Sequence, residues 1–320
     1  MNFLQRILLN AFDSTTSNKL KISEMQPEIQ EEWNRKHLNM NSMLVRYGFN
    51  RIFRRMTASF RVLPNFLIIG YPKCGTTSLH FYLSQHPSMG ETSKKEIHFF
   101  SVMFDKGLNW YKARFPTVFD KKQIENKRHL PFITGEGSVD YVTNPFTPKR
   151  IKEIIPNVKL IVILRNPIDR AYSSYHASVR DGGEFEDTFE DAIEHDQERF
   201  EVLKKRIIGN QLNDHTLNLM QIPHLSIGKY INDMPKWLEL FANQLLIINY
   251  DDYVESKKKT LENVFKFLQI PNFEIKDATN RNVGKYKPMN PKTRQKLIEY
   301  YEPYNEKLEK LLNMKFNWNK

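Results

Sequence analysis

The stretch Asn65–His86, NFLIIGYPKCGTTSLHFYLSQH, constrains the fold more than any other part of this sequence. An apolar run, Phe66–Ile69, leads into a compact turn with two glycines, Gly70–Gly75. Behind it, Leu79, Tyr82 and Leu83 share the face of a helix. A strand–loop–helix of this kind aims backbone N–H groups and a helix N-terminus at one point. Lys73 adds a cation there, and Thr76, Thr77 and Ser78 add hydroxyls. Those are the ingredients of a phosphate cradle. A buried turn that needs glycine only for tight geometry gives no reason for a lysine and three hydroxyls at the helix start. The nucleotide-triphosphatase loop places its lysine directly after the last glycine, followed by Ser or Thr. Here Lys73 precedes Cys74 and Gly75, so the usual arrangement for magnesium and a γ-phosphate is missing.

A second anion-binding element follows Val158–Leu164, VKLIVIL, a nearly continuous apolar run suited to a strand covered on both faces. Arg165 ends it, Asn166–Pro167 signals a turn, and Asp169 lies near the start of the next helix. Arg165 can clamp a terminal phosphate with its planar fork, and Ser173 can donate a hydroxyl. The competing reading is an ordinary Arg-containing βα loop. Leu245–Ile248 is a third strand, followed by a helix near Lys259–Leu268. Strands alternating with amphipathic helices predict an α/β fold with a central, mainly parallel sheet. Residues 1–60 are expected to be an N-terminal extension packed on a core that starts near Arg61; within it, Glu28–His37 reads as a short exposed helix and Met43–Phe60 as a helix laid on the main domain, with a membrane-facing or dimer-facing basic amphipathic segment as the alternative.

Two further clusters invite chemistry. In ETSKKEIHFF, Glu96 and His98 are one residue apart and can accept a proton from a substrate hydroxyl. Surface charge and a structural histidine explain the same residues. In NVGKYKPMN, Gly284 permits a tight turn, Lys285 and Lys287 bring charge, and Tyr286 can pack on a base or sugar. GEGSVD, Gly135–Asp140, reads as a loop, and Trp110 and Tyr111 read as anchors rather than cleft walls. The nine histidines offer no H-E-x-x-H spacing or other metal set, so no metal is expected.

Forty-eight Lys and Arg against 37 Asp and Glu leave a net charge of +11, which favours an anionic cofactor, substrate or surface. No zinc-finger or RNA-binding motif accompanies the charge, and no nucleic-acid partner is expected. Cys74 is the single cysteine, so an intrachain disulfide cannot form, and a reducing, cytoplasmic setting is expected. The N-terminal run MNFLQRILLNAF is broken by Gln5 and Arg6 and lacks a long apolar core. Peripheral membrane contact is compatible with it. The sequence does not specify an oligomeric state.

In their order, YPKCGTTSL, KEIHFF, GLNWYKARFP, LRNPIDRAYSSYH and NVGKYKPMN resemble the PAPS-dependent sulfotransferases, over roughly Phe66 to Leu312. The likeness is to the heparan-sulfate-type branch and related bacterial enzymes. The resemblance implies a P-loop-like three-layer sandwich spanning residues 61–320. It implies transfer of a sulfuryl group from 3′-phosphoadenosine-5′-phosphosulfate (PAPS) to a hydroxyl of a carbohydrate, glycolipid or small acceptor. Lys73 would face the 5′-phosphosulfate, and Cys74, Gly75, Thr76, Thr77 and Ser78 would complete its cradle. Arg165 and Ser173 would hold the 3′-phosphate. Glu96 would be the general base, with His98 shaping the acceptor pocket, and Gly284, Lys285, Tyr286 and Lys287 would form the late cofactor loop. An ATP-dependent kinase and a binding-only module are the rival readings; the first predicts γ-phosphate transfer and the second no sulfated product.

Overall fold

The computed structural model describes residues 52–209, 211, 222–281, 284 and 286–318. The helix expected at Glu28–His37, the N-terminal apolar run and Lys285 lie outside the described residues. The chain divides into two units, Met1–Arg54 and Arg55–Lys320, and the second holds the sheet. Within the described part of Met43–Phe60, residues 52–56 are helical and Ala58–Phe60 form a 3₁₀ turn.

In chain order the second unit runs β1 (Phe66–Ile68), α1 (Thr76–Ser84), α2 (Leu108–Lys112), α3 (Val118–Lys127), β2 (Gly135–Glu136), α4 (Thr147–Ile154) and β3 (Lys159–Leu164). It continues with α5 (Pro167–Arg180), α6 (Phe189–Glu194), α7 (Asp196–Ile208), α8 (Met234–Phe241), β4 (Leu245–Asn249), α9 (Tyr250–Glu255), α10 (Lys257–Leu268) and α11 (Pro291–Leu312). The strands form a parallel sheet in the order β2-β1-β3-β4. Phe66 pairs with Gly135 on one side and with Lys159 on the other. The fold is α/β with a central parallel sheet.

Both faces of this sheet are covered. Every residue of β1 is buried, and so is every residue of β3 from Leu160 to Leu164. A strand buried on alternate residues in both directions needs apolar side chains at every position, which is why the VKLIVIL run marks it so clearly. The helices start where their capping chemistry allows. Asn166 caps α5 by accepting from Ile168 N–H, with Pro167 at the first position. Asn290 does the same for α11, accepting from Lys292 N–H. Pro235 lies in the first turn of α8 and marks its start rather than a kink. Trp237 on this helix is buried in the core.

One element departs from expectation. Gly135–Glu136 is a strand, not a loop. With two residues it has no hydrophobic period to detect. Its signal is Gly135 itself: a Cβ there would sit 2.5 Å from the Phe66 carbonyl oxygen and 2.6 Å from the Phe66 ring. β2 lies against β1 only because that side chain is missing. Gly135→Ala is therefore expected to destabilise the protein by about 1–3 kcal/mol, read as a lower denaturation midpoint; an unchanged midpoint would show that β2 can move away freely.

Candidate active site

The chain leaves β1 for α1 on one side of the molecule and reaches β2 before returning to β3 on the other flank of β1. The connections after β1 and β3 therefore part in opposite directions. Open α/β sheets form a crevice at such a point, beyond the carboxyl ends of the strands. A cavity of about 520 Å³ opens here, within the range of roughly 300–1,000 Å³ typical of small-ligand clefts.

The β1–α1 turn forms one wall. Lys73 holds a left-handed φ of 69° and Gly75 one of 83°. Gly75 is the N-cap of α1 and has no side chain to occupy the N–H groups of the first turn. Thr76, Thr77 and Ser78 line the cavity beyond it. A ligand bearing negative charge would meet those N–H groups and the positive end of the helix dipole. Burial lowers the pKa of Lys73, and the nearby Arg180 and Arg165 push in the same direction while Asp181 opposes them. Cys74 points the other way. Its side chain is buried in the hydrophobic core and does not line the cavity. Burial also raises its pKa, so the thiol stays protonated and is not a nucleophile. Any contact of Cys74 with a phosphate is through its backbone.

Arg165 and Ser173 form the second wall, from the end of β3 and the second turn of α5. Arg165 Nη1 donates to the Lys73 carbonyl at 2.9 Å, and its guanidinium lies 4.7 Å from the Tyr250 ring centroid. This bond ties the loops after β1 and β3 to each other. Gly284 and Tyr286 also reach the cavity, whereas Lys287 does not line it and offers its carbonyl to the Tyr172 hydroxyl at 3.0 Å. Tyr286 is already stacked on His176 at 4.3 Å and 7°, so α5 holds one face of its ring.

Glu96 lines the cavity as well, and its carboxylate lies between two cations. Lys95 Nζ is 2.6 Å from Oε1, and His98 Nε2 is 3.7 Å from Oε2. Lys95 also reaches the Thr77 hydroxyl at 3.1 Å, which links this carboxylate to the β1–α1 cradle. His98 sits behind Glu96 rather than in the cavity, at a strained φ of 58°. Its Nδ1 contacts Asp140 Oδ1 at 2.7 Å. Burial alone lowers the pKa of His98, but Asp140, Glu96 and Glu136 together raise it to about 9. His98 is thus a cation at neutral pH and has no lone pair to accept a proton; of the Glu96–His98 pair only the carboxylate can act as a base.

The strained segment is held by a buried polar network that the sequence does not announce. Ser138 Oγ accepts from the N–H groups of Ile97 and His98 at 3.1 and 2.9 Å. Ser138 in turn donates to Glu136 Oε2 at 2.6 Å, and the Tyr111 and Tyr141 hydroxyls lie 3.3 and 2.5 Å from Oε1. Burial raises the pKa of Glu136 to about 7, although Ser138, Tyr141 and His98 pull it down. Tyr111 is therefore an anchor, fully buried beside Phe99 at 4.3 Å. Glu136 lies beneath the cavity and supports Glu96 through the backbone of residues 97 and 98.

The cavity also includes residues that sequence motifs do not mark: Ser178, Arg180 and Asp181 near the end of α5, Tyr250 and Tyr253 on α9, and Asn280 and Arg281 before the late loop. Arg281 N–H donates to Ser78 Oγ at 2.9 Å, and its guanidinium lies 3.8 Å from the Phe81 ring centroid. These contacts join segments some 200 residues apart, so no local pattern records them. Among the described residues no group of three or more His, Cys, Asp or Glu side chains could hold a metal.

The His98–Asp140 pair has a measurable pH signature. A group whose folded pKa is raised contributes stability that is present below its unfolded pKa and lost as pH rises through the folded one. From the ordinary histidine value near 6.5 to about 9, stability should decline. Asp140→Asn should lower the His98 pKa, followed by NMR, and flatten this decline in the denaturation midpoint. An unchanged His98 titration would remove Asp140 from the role.

Comparison with known proteins places this geometry. Residues 63–313 match the family model described as "Sulfotransferase domain". The chain is 29% identical to the membrane-associated sulfotransferase kil1 of Dictyostelium discoideum, over 80% of this chain and 66% of that protein. It is 31% identical to the bifunctional heparan sulfate N-deacetylase/N-sulfotransferase 1 of Caenorhabditis briggsae, over 68% of this chain and 24% of that protein. The chain thus spans less than two thirds of either relative. The crystal structure of a sulfotransferase from Alicyclobacillus acidocaldarius superposes with a TM-score of 0.61 at 28% identity, covering 81% of this chain and all of that one. With a family match that takes in the loops after β1 and β3, Glu96 and the sheet, the chain belongs to the PAPS-dependent sulfotransferase family.

Proposed function

We propose that the protein transfers the sulfuryl group of PAPS to an acceptor hydroxyl on a carbohydrate-containing molecule and releases adenosine 3′,5′-bisphosphate. One observation carries this reading: the first turn of α1, the Arg165–Ser173 pair and the Glu96 carboxylate all face one cavity of about 520 Å³. Two separate anion-binding walls suit a nucleotide with phosphate at both its 3′ and 5′ positions. PAPS supplies the activated sulfuryl group and the phosphate that departs from it. Gly75–Ser78 and Lys73 would hold its 5′ end, and Arg165 and Ser173 its 3′-phosphate. Tyr286 and the late loop would close over the nucleotide.

In this reading the acceptor oxygen attacks sulfur while Glu96 takes the hydroxyl proton. Lys95 and the protonated His98 keep the Glu96 carboxylate oriented toward the cavity. Lys73 balances the charge that grows on the departing phosphate, and its partial burial strengthens that interaction. Holding both ends of the donor supplies the in-line geometry. The lysine's place before Cys74–Gly75 favours this donor over a nucleoside triphosphate.

Several finer points belong to the same proposal. The strand order and the β1–α1 turn support a P-loop-like three-layer sandwich as the fold type. Residues 61–320 form the catalytic domain, a reading supported by the compact unit Arg55–Lys320 and by the match at 63–313. The name of the Caenorhabditis relative supports a polysaccharide acceptor, and that of the Dictyostelium relative supports peripheral membrane contact. The single, buried Cys74 supports a reducing compartment such as the cytoplasm.

Incubation with sulfur-labelled PAPS and a panel of glycans, glycolipids and simple alcohols, followed by mass analysis, tests the reaction; no labelled product with any acceptor would leave only the binding module. Glu96→Gln is expected to lower kcat by about 10²–10⁴ with adenosine 3′,5′-bisphosphate bound as before. Normal turnover in that variant would remove Glu96 as the base. Arg165→Ala should weaken bisphosphate binding by about 10–100-fold, measured by calorimetry.

A further inference from the structure

Away from the cavity, one surface concentrates exposed apolar side chains. Met56, Phe60 and Phe119 are 78%, 65% and 65% exposed, and Leu108 and Val118 are exposed as well. Backbone pairing gathers these residues from separate stretches. Arg61 forms an antiparallel bridge with Thr117, and Val62 N–H donates to the Pro116 carbonyl at 3.1 Å. Arg61 also reaches the Phe115 carbonyl at 2.6 Å. Phe60 thus lies beside the start of α3, where Val118 and Phe119 project. Helix α2 packs on Ala58–Phe60, and Lys112 Nζ reaches the Ser59 carbonyl at 3.4 Å. Apolar side chains gathered on one exposed face are the signature of an interaction site.

The fringe of the patch is positive. Arg55, Lys112 and Lys122 lie in or next to its sequence segments. The neighbouring acids are already engaged. Asp120 accepts from Thr117 N–H and from its hydroxyl at 2.7 and 2.8 Å, which closes the capping box of α3. Glu125 pairs with Lys121 at 3.7 Å and Asp105 with Lys106 at 3.1 Å. A second copy of the chain would bring the same positive fringe against itself in a two-fold interface. An anionic bilayer meets both properties: its phosphates and carboxylates attract the basic fringe, and its headgroup–acyl boundary accepts aromatic and thioether tips.

We infer that the face built from Met56, Phe60, Leu108, Val118 and Phe119 docks on an anionic lipid bilayer. Met56 and Phe60 lie ahead of β1 in the chain and the Arg61–Thr117 bridge brings Val118 and Phe119 beside them, whereas the cavity is lined from the carboxyl ends of β1 and β3. Docking therefore leaves the cavity open to soluble donor. The inference does not depend on the reaction assigned to that cavity.

The full-length chain is sedimented with vesicles of phosphatidylcholine alone and of phosphatidylcholine mixed with phosphatidylserine. Binding is expected to the mixed vesicles only and to weaken with added salt. The triple variant Met56→Glu/Phe60→Glu/Phe119→Glu should lose about tenfold or more in partitioning, and Arg55→Glu/Lys122→Glu should lose binding without loss of an apolar tip. Denaturation midpoints at the wild-type value show that the variants are folded, and the charge pair keeps the test decisive if the triple variant is not. Absence of wild-type sedimentation overturns the inference. So does equal binding to neutral vesicles, or wild-type-like sedimentation of the folded variants. A wild-type dimer that the triple variant converts to a monomer, with no lipid binding by either, would assign the face to a second copy.

Discussion

β1 and β3 pair in parallel, from Phe66 with Lys159 to Ile68 with Ile161. That pairing is the constraint on which the site depends. It ends two strands side by side and sends the following chain in opposite directions, so the crevice between them is left unfilled. The Lys73–Gly75 turn and Arg165 meet there, and the Arg165–Lys73 hydrogen bond fixes their separation. The cost of keeping two positive loops together is met by the rest of the sheet: the buried β3 residues, packed from both faces, leave the loops little freedom to part.

Electrostatics then divides the labour within the cavity. Cations from the turn, the end of β3 and α5 suit an anionic ligand; of the two carboxylates set among them, Asp181 is paired with Arg180, and Glu96 is the one beside the β1–α1 turn. It is held by Lys95 and by a histidine that Asp140 keeps protonated. The strain at His98 persists because Ser138, Glu136, Tyr111 and Tyr141 over-determine the backbone beneath it. A buried carboxylate with this many donors is costly to remove, since each would be left without its partner. Glu136 thus acts at one remove, through the backbone that presents Glu96.

The same sheet separates chemistry from surface. Residues before β1 pair with the stretch leading into α3 and carry the exposed apolar tips, while residues after β1 form the cavity wall. A short strand can serve both ends in this way because its own three residues are wholly buried and contribute to neither.

Much of this was legible in the order of residues alone. β1, β3 and β4 announce themselves as apolar runs, and the Asn166–Pro167 pair announces the start of α5. The β1–α1 turn shows its chemistry because backbone N–H groups, glycines, Lys73 and the hydroxyls lie within one short segment. Local signals of that kind come from propensity and spacing, which the sequence carries directly. β2 was not legible, because two residues have no period and its pairing depends on what Gly135 lacks. Tyr250, Asn280 and Arg281 were not legible as cavity residues, because they reach it only through contacts across the chain. The charge state of His98 was decided by Asp140, 42 positions away in sequence and 2.7 Å away in space. The sequence by itself determined β1, β3, β4, the caps and the composition of the β1–α1 turn; the tertiary structure decided β2, strand order, the cavity's far wall and the protonation of its neighbours, since those depend on burial and on distances that only packing sets.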